Sequence, residues 1–175
     1  MSEIRKVAVI GAGTMGNGIA QVCATAGMEV VMRDLEEPIL ERALTTIDKS
    51  LAKLVEKGTI DAADRDAARS RIRTTLDLVE AVQDADLVVE AVPERIDLKI
   101  ETFRALGEHA PKHALLGTNT SSLSVTEIAA ASGDAARVVG LHFFNPVPLM
   151  KLLEIVRGLS TSDESVERAR AFAVC

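Results

Sequence analysis

The sequence is poor in the residues that mark several classes of protein. Its two cysteines, Cys23 and Cys175, are too few for a disulfide framework or a metal cluster, so no metal site is expected. It contains no apolar run of about 18 residues, and we therefore expect no transmembrane helix. The net charge of −6 argues against a general nucleic-acid-binding protein. Cys23, within the first predicted helix, is expected to pack in the core.

The residues that are present favour a folded domain. Hydrophobic residues make up 47% of the 175 residues, which is enough for a core and argues against disorder. The first residues, MSEIRKVAVIG, lead directly into an apolar strand without a signal-peptide pattern, which favours a cytoplasmic location. The chain shows neither an internal repeat nor a low-complexity linker. We therefore expect one domain over residues 1–175.

A glycine-rich turn near the start of the chain organises this domain. The segment Lys6–Ala26, KVAVIGAGTMGNGIAQVCATA, predicts a buried strand, a tight turn and a helix. Gly11, Gly13 and Gly16 match the pattern G-x-G-x-x-G. In this pattern the first glycine allows the turn, the second lets a pyrophosphate approach the backbone, and the third lets the helix pack close to the strand.

The residues around this turn favour a dinucleotide as the ligand. Thr14 and Met15 begin the helix, whose N-terminus offers free N–H groups to phosphates. Asp34 ends the second apolar strand, close to the spacing of about 20 residues expected for a carboxylate that binds the adenine ribose. Because that carboxylate would repel a 2′-phosphate, the pattern favours NAD over NADP. Arg33 could accommodate such a phosphate, but strand alternation is expected to turn it away from Asp34.

The rest of the chain alternates apolar strands with helical patterns, which predicts an α/β fold. After the second strand, helices over 39–56 and 61–71 form a helical hairpin. Further strands are predicted at 72–75, 87–92, 114–117, 138–142 and 149–156, and further helices at 98–110, 124–131 and 160–173. This order predicts a Rossmann-type, doubly wound and mostly parallel sheet with a helical-hairpin insertion after strand 2.

Polar residues late in the chain are candidates for chemistry. Asn119 and Ser121 follow the fifth strand in NTSS, His142 ends the sixth in GLHFFNPVP, and Glu154 interrupts the apolar segment MKLLEIV. The carboxyl ends of parallel strands are where ligands bind in such sheets. A lone histidine between apolar neighbours is more often a core residue. Here the dinucleotide turn and a nearby acid favour a catalytic role for His142.

Four segments carry a family resemblance: GAGTMGNGIAQ, VVEAVPE, NTSSLSVTEIA and GLHFFNPVPLMKLLEIV, in this order. They resemble the N-terminal domain of the L-3-hydroxyacyl-CoA dehydrogenases, and within that family the bacterial 3-hydroxybutyryl-CoA dehydrogenases. The similarity extends over essentially the whole chain. It implies NAD-dependent oxidation of an acyl-CoA substrate, L-3-hydroxyacyl-CoA, to 3-oxoacyl-CoA.

The resemblance also implies roles for the late polar residues. His142 matches the catalytic histidine, which takes the proton of the 3-hydroxyl group. The imidazole group suits this role because it titrates near neutral pH. Glu154 matches the acid paired with that histidine, Ser121 the serine that hydrogen-bonds the substrate oxygen, and Asn119 the asparagine that positions nicotinamide and substrate.

Further residues match binding positions of the family. Asp34 matches the acid on the adenine ribose, and Glu94 and Lys99 match positions near the nicotinamide ribose. Ser50 and Lys57 match positions that contact the CoA moiety, and their spacing of two helical turns places them on one face. Without the resemblance, the row formed by Lys49, Lys53 and Lys57, each four positions apart, would be interpreted as a solvated face.

The resemblance implies a second, all-helical domain after this one, which closes the cleft and forms a homodimer interface. The chain ends before such a domain, so we expect exposed apolar surface and poor turnover by these residues alone. Two other interpretations stay open. One is a dehydrogenase for another class of β-hydroxy acid, and the other is an NAD-binding protein without catalytic activity.

Overall fold

One sheet of seven strands forms the centre of the computed structural model, which describes residues 4–174. Cys175 lies outside these residues. The strands are β1 Lys6–Ile10, β2 Glu29–Arg33, β3 Ile72–Thr75, β4 Leu87–Glu90, β5 Leu115–Thr118, β6 Val138–Phe143 and β7 Leu153–Val156. Their order is β3-β2-β1-β4-β5-β6-β7, and every neighbouring pair is parallel except β6 with β7.

Helices connect the strands. They are α1 Thr14–Thr25, α2 Glu37–Glu56, α3 Ala62–Ser70, α4 Leu78–Val82, α5 Ile96–His109, α6 Val125–Ala131 and α7 Asp163–Ala173, and a 3₁₀ turn lies at Ala135–Arg137. The helical hairpin predicted after the second strand is confirmed as α2 and α3. Among residues 4–174, no helix has both the length and the apolar character needed to cross a membrane.

The strand order confirms the predicted Rossmann-type fold and locates its crevice. The chain moves outward from β1 to β2 and β3, then returns to the other side of β1 with β4. The connections therefore diverge between β1 and β4, and ligands bind outside the carboxyl ends of the strands at such a point. The glycine turn that follows β1 lies at this position.

Alternation along β1 divides the core between the two faces of the sheet. Val7 and Val9 belong to one apolar cluster, whereas Ala8 and Ile10 belong to another. Cys23 of α1 is buried in the first cluster, which confirms the prediction of core packing. Burial raises the pKa of its thiol to about 12, so this side chain is a packing residue rather than a nucleophile.

The ends of α1 agree with the sequence signals. Gly27 has φ +95°, a conformation that glycine adopts without steric cost, and its N–H donates to the carbonyl of Ala24. The N–H of Met28 donates to the carbonyl of Cys23. These two bonds form a Schellman motif, which ends α1 and turns the chain into β2.

One local prediction was wrong, and one short helix was missed. The strand predicted over 149–156 begins only at Leu153, because Leu149 N and Met150 N donate to the carbonyl of Pro146 in a turn. The short helix α4 was not predicted, since five residues are too few to show a helical period. Its one sequence signal is Asp77, whose side chain accepts a hydrogen bond from the N–H of Glu80.

Candidate active site

A cleft of about 950 Å³ opens at the carboxyl ends of the central strands. Its walls come mainly from the segments that follow β1, β2, β4 and β5, with Leu78 of α4 beside them. The predicted site residues that line it are Gly11, Gly13, Thr14, Met15, Asp34, Glu94, Asn119 and Ser121. Residues taken from four distant segments of the sequence therefore share one cavity.

Each glycine of the turn has the environment that its predicted role requires. Gly11 has φ +102°, and a Cβ atom there would lie 2.6 Å from the carbonyl oxygen of Ala91. A Cβ atom at Gly16 would lie 1.7 Å from the carbonyl oxygen of Gly11, so only glycine lets the helix pack against the turn. At Gly13 an added Cβ would meet no atom within 4 Å. The Gly13 backbone is therefore not covered by other protein atoms on the side of the cleft, as a close approach by a phosphate requires.

The N-terminus of α1 is suited to an anion. No side chain caps it, and no acidic residue lies in its first turn. A helix start carries unpaired N–H groups and a partial positive charge. Thr14 and Met15, the first residues of α1, line the cleft beside Gly13. The geometry thus fits the pyrophosphate of a dinucleotide.

Asp34 stabilises the turn while facing the cleft. Its Oδ2 accepts a hydrogen bond from Ala12 N at 2.7 Å, and its Oδ1 accepts one from Leu35 N at 2.7 Å. A carboxylate oxygen can accept a second bond, so both oxygens keep capacity for ribose hydroxyls. Arg33 Nε donates to the carbonyl of Leu76 at 3.0 Å, yet Arg33 lines the same cleft as Asp34.

The candidate catalytic side chains form a continuous hydrogen-bonded row. Ser121 Oγ lies 3.1 Å from His142 Nε2, and His142 Nδ1 lies 2.8 Å from Glu154 Oε2. The His142 side chain is 18% exposed and that of Glu154 is 54% exposed. Since Ser121 lines the cleft, the row joins the cleft to the edge strand. The structure therefore brings together three residues that are spread over 33 positions of the sequence, from Ser121 to Glu154.

The pairing of β6 with β7 produces this row. β7 runs antiparallel to β6, and the register places Glu154 directly opposite His142. Directly opposed residues in an antiparallel pair project from the same face of the sheet with their Cβ atoms about 5 Å apart. The Phe144 ring also packs on the imidazole, with centroids 4.5 Å apart and planes inclined at 46°. The histidine is thus fixed by neighbours on two sides.

Asn119 connects three strand ends. Its backbone N–H donates to the carbonyl of Glu90 at 2.8 Å, at the end of β4. Its side-chain Oδ1 accepts a hydrogen bond from Phe143 N at 3.0 Å, at the end of β6. Asn119 therefore fixes the spacing between the β5 loop and the strand that carries His142.

Glu94 holds the loop that carries Ser121. Its Oε1 accepts hydrogen bonds from Thr120 Oγ1 and from Ser121 N, the latter at 2.9 Å. Partial burial opposes ionisation, but these bonds and the charge of Lys99 keep the pKa of Glu94 below its usual range. Lys99 itself is fully buried, with Nζ 3.5 Å from Glu94 Oε2. The structure therefore places Lys99 beneath the cleft, not on its surface.

Sequence reasoning assigned no role to several residues around Glu94. Glu90, Thr118 and Thr120 are buried and share a network of hydrogen bonds with it and with Lys99. The signal that could have indicated this network is the acid within the apolar segment LVVEAV. A buried carboxylate requires partners.

Ser50 and Lys57 are not among the residues that line the cleft. Ser50 is half-buried within α2, and Lys57 is the exposed residue that ends this helix. The structure does not test the predicted contact of Ser50 and Lys57 with CoA, which stays a prediction. Among residues 4–174, no group of three or more histidine, cysteine or acidic side chains is arranged to hold a metal ion.

The sequence family described as 3-hydroxyacyl-CoA dehydrogenase, NAD binding domain, matches residues 6–174. The chain belongs to this family. The match confirms the resemblance read from the four segments, and it supports NAD as the cofactor of the family's domain.

Individual proteins extend the comparison. The chain is 47% identical over 160 residues to the probable 3-hydroxybutyryl-CoA dehydrogenase of Deinococcus radiodurans, which covers 91% of this chain and 57% of that protein. It is 45% identical over 168 residues to the 3-hydroxyadipyl-CoA dehydrogenase of Escherichia coli, covering 96% and 35%. The crystal structure of (S)-3-hydroxybutyryl-CoA dehydrogenase from Ralstonia eutropha superposes with a TM-score of 0.95 at 39% identity, covering 98% and 60%. The chain thus spans less than two thirds of each relative.

Proposed function

We propose that this chain is the NAD-binding and proton-transferring part of an NAD-dependent L-3-hydroxyacyl-CoA dehydrogenase. The observation that carries the proposal is the row Ser121–His142–Glu154 at the edge of the cleft that Gly13 and Asp34 line. A nucleotide fold alone would fit many activities. A histidine held between a serine and a carboxylate beside that fold points to alcohol oxidation.

The residues of the cleft fit NAD from one end to the other. The bare backbone at Gly13 and the uncapped start of α1 would hold the pyrophosphate, and Asp34 the adenine ribose. Glu94 and Asn119 line the far end of the cleft, near Ser121. Bound NAD supplies the hydride acceptor, and the chain supplies orientation and the base.

The proton step follows from the hydrogen bonds of His142. A neutral imidazole that donates its Nδ1–H to Glu154 has an Nε2 lone pair directed at Ser121. A substrate hydroxyl held by Ser121 would give its proton to this Nε2 as its C3 hydride leaves. Glu154 then stabilises the imidazolium that has formed. In the reverse direction His142 returns the proton to the 3-oxo group.

The remaining expectations belong to the same proposal. Ser50 and Lys57 would contact the CoA moiety along α2. A second, helical domain would cover the exposed apolar residues Leu149, Met150 and Leu152, which follow the strand that carries His142. In complete members this domain would also form the homodimer interface. The exposed patch supports a covering partner at this place.

A single-turnover assay tests the proposal. The chain is mixed in excess over NADH, and NADH absorbance is followed after acetoacetyl-CoA is added. We expect slow oxidation of NADH that depends on acetoacetyl-CoA and is absent with free acetoacetate. Equal oxidation with free acetoacetate would favour the other β-hydroxy-acid dehydrogenases. Binding of NADH without oxidation by either compound would instead indicate a non-catalytic NAD-binding protein.

A further inference from the structure

A buried ion pair lies beneath the reaction end of the cleft, and the proposed proton step does not use it. Glu90 of β4 and Lys99 of α5 both have fully buried side chains, and Lys99 Nζ lies 2.6 Å from Glu90 Oε1. Charged side chains of this kind are almost never fully buried unless they are paired. The pair is therefore a distinct feature of the interior.

Glu90 is surrounded by donors. Its Oε1 also accepts a hydrogen bond from Val92 N at 2.8 Å, and its Oε2 accepts one from Thr118 Oγ1 at 2.7 Å. Burial raises the pKa of the Glu90 carboxyl, while the charge of Lys99 and these hydrogen bonds act in the opposite direction. The carboxyl group is thus held in one orientation by β4, β5 and α5.

Lys99 transmits this orientation to the site. Besides Glu90, its ammonium group contacts the carbonyl oxygen of Asn119 at 3.3 Å and Glu94 Oε2 at 3.5 Å. An ammonium group has three N–H donors, and Lys99 has three oxygen partners. Glu94 in turn accepts the backbone N–H of Ser121. A chain of contacts therefore runs from Glu90 through Lys99 to the residue that faces His142.

Stability alone gives no sufficient reason for this arrangement. Removing two charges from water costs about as much as their attraction returns, so a buried ion pair adds little net stability over an apolar pair. An apolar pair of the same volume could not make the contacts that Lys99 makes with Glu94 and Asn119. A positional role accounts for the burial of both charges at this place.

We propose that Glu90 is a positioning residue which, through Lys99, holds Glu94 and the segment 119–121 in the geometry that receives the nicotinamide riboside and directs Ser121 towards His142. This inference rests on the proposed function, because it concerns the same cleft. It assigns Glu90 no contact with substrate or cofactor.

A double variant tests the inference. Glu90→Gln alone would leave the Lys99 charge buried without an anionic partner, which endangers folding. Glu90→Gln combined with Lys99→Met removes both charges and keeps an amide that can bond Thr118. The dissociation constants of NADH and ADP are then measured by calorimetry. ADP carries the adenosine and the pyrophosphate but not the nicotinamide riboside.

We expect the double variant to bind ADP as the wild type does and to bind NADH about tenfold more weakly, as expected for the loss of fixed hydrogen-bonding partners. Val82→Ala serves as the control, because Val82 is a buried residue of α4 outside the cleft lining. It should lower the melting temperature without changing the ratio of the two dissociation constants.

The outcomes separate this inference from the proposed function. If the wild type binds no NADH, the proposed function fails. If the wild type binds NADH but the double variant loses NADH and ADP affinity equally, or loses neither, the positioning role of Glu90 is overturned while the proposed function stands. A changed ratio in Val82→Ala would also overturn the role, because simple destabilisation would then produce the same effect.

Discussion

The two ends of the cleft are built in different ways. The cofactor end is formed mainly by one local segment, in which backbone atoms of the glycine turn and the start of α1 face the cavity, with the carboxylate of Asp34 beside them. The reaction end combines side chains from three elements: Ser121 after β5, His142 on β6 and Glu154 on β7. The cofactor end depends mainly on backbone atoms that no side chain covers, whereas the reaction end depends on contacts between side chains.

This difference separates the residues that set the local shape of the fold from the residues that take part in the reaction. At the cofactor end, Gly11 and Gly16 keep the backbone in close contact, and most substitutions there would move atoms of the fold. At the reaction end, His142 is partly exposed and its ring can be changed without disturbing the core. We therefore expect substitutions in the row Ser121–His142–Glu154 to change turnover and those at the cofactor end to change binding or folding.

Replacement of the histidine should give the largest effect. In His142→Gln the side chain can no longer accept a proton, so we expect single-turnover oxidation of NADH by acetoacetyl-CoA to slow about a hundredfold to ten-thousandfold. The dissociation constant for NADH, measured by fluorescence titration, should stay within about twofold because His142 is not among the residues proposed to hold NAD.

His109→Gln is the matched control, since His109 is an exposed residue of α5 whose Nε2 lies 3.7 Å from Glu108 Oε2. It should leave both measurements unchanged. Unaltered turnover in His142→Gln would contradict the proton role. A parallel loss of NADH affinity would show that the two ends of the cleft are not separable.

The same difference explains how much could be predicted from the sequence. The glycine turn and Asp34 were identified because their spacing is local, and the doubly wound sheet was predicted from the alternation of apolar strands with helical patterns. The row at the reaction end depends on the register of β6 with β7. Ser121 was marked by its position after a strand, and His142 and Glu154 were marked separately as polar residues in apolar surroundings. The resemblance, not the periodicity, supplied their pairing.

Features that depend on long-range contacts were missed. The partner of Glu90 could not be identified, because Lys99 reaches it from a helix on the face of the sheet. The segment 149–156 was predicted as one extended segment, since its apolar composition does not show that the turn begun at Pro146 includes Leu149 and Met150. Neighbours along the chain set local structure, whereas these features depend on neighbours in space.

Removal of the acid at the cofactor end should give the next largest effect. Asp34→Ala loses hydrogen bonds to the ribose and the bond that Ala12 N donates. A hydrogen bond to a charged group contributes about 1.5–3 kcal/mol, so NADH affinity should fall about tenfold to a hundredfold. Fluorescence titration measures this loss, and Asp66→Ala on the exposed surface of α3 is the control. Unchanged affinity would show that the ribose assignment is wrong.

Two alanine substitutions within the glycine turn give the smallest and most selective effect. Gly16→Ala forces a Cβ atom against the carbonyl oxygen of Gly11, and we expect it to lower the free energy of unfolding by about 1–3 kcal/mol. Gly13→Ala meets no protein atom within 4 Å, so its stability should be unchanged. Its methyl group would occupy the space that the pyrophosphate needs, and NADH binding should weaken about tenfold.

Thermal unfolding and NADH titration of both variants measure these effects. A Gly13→Ala variant that binds NADH normally would show that the phosphates do not approach this backbone, whereas loss of stability in both variants would mean that the turn acts only in folding.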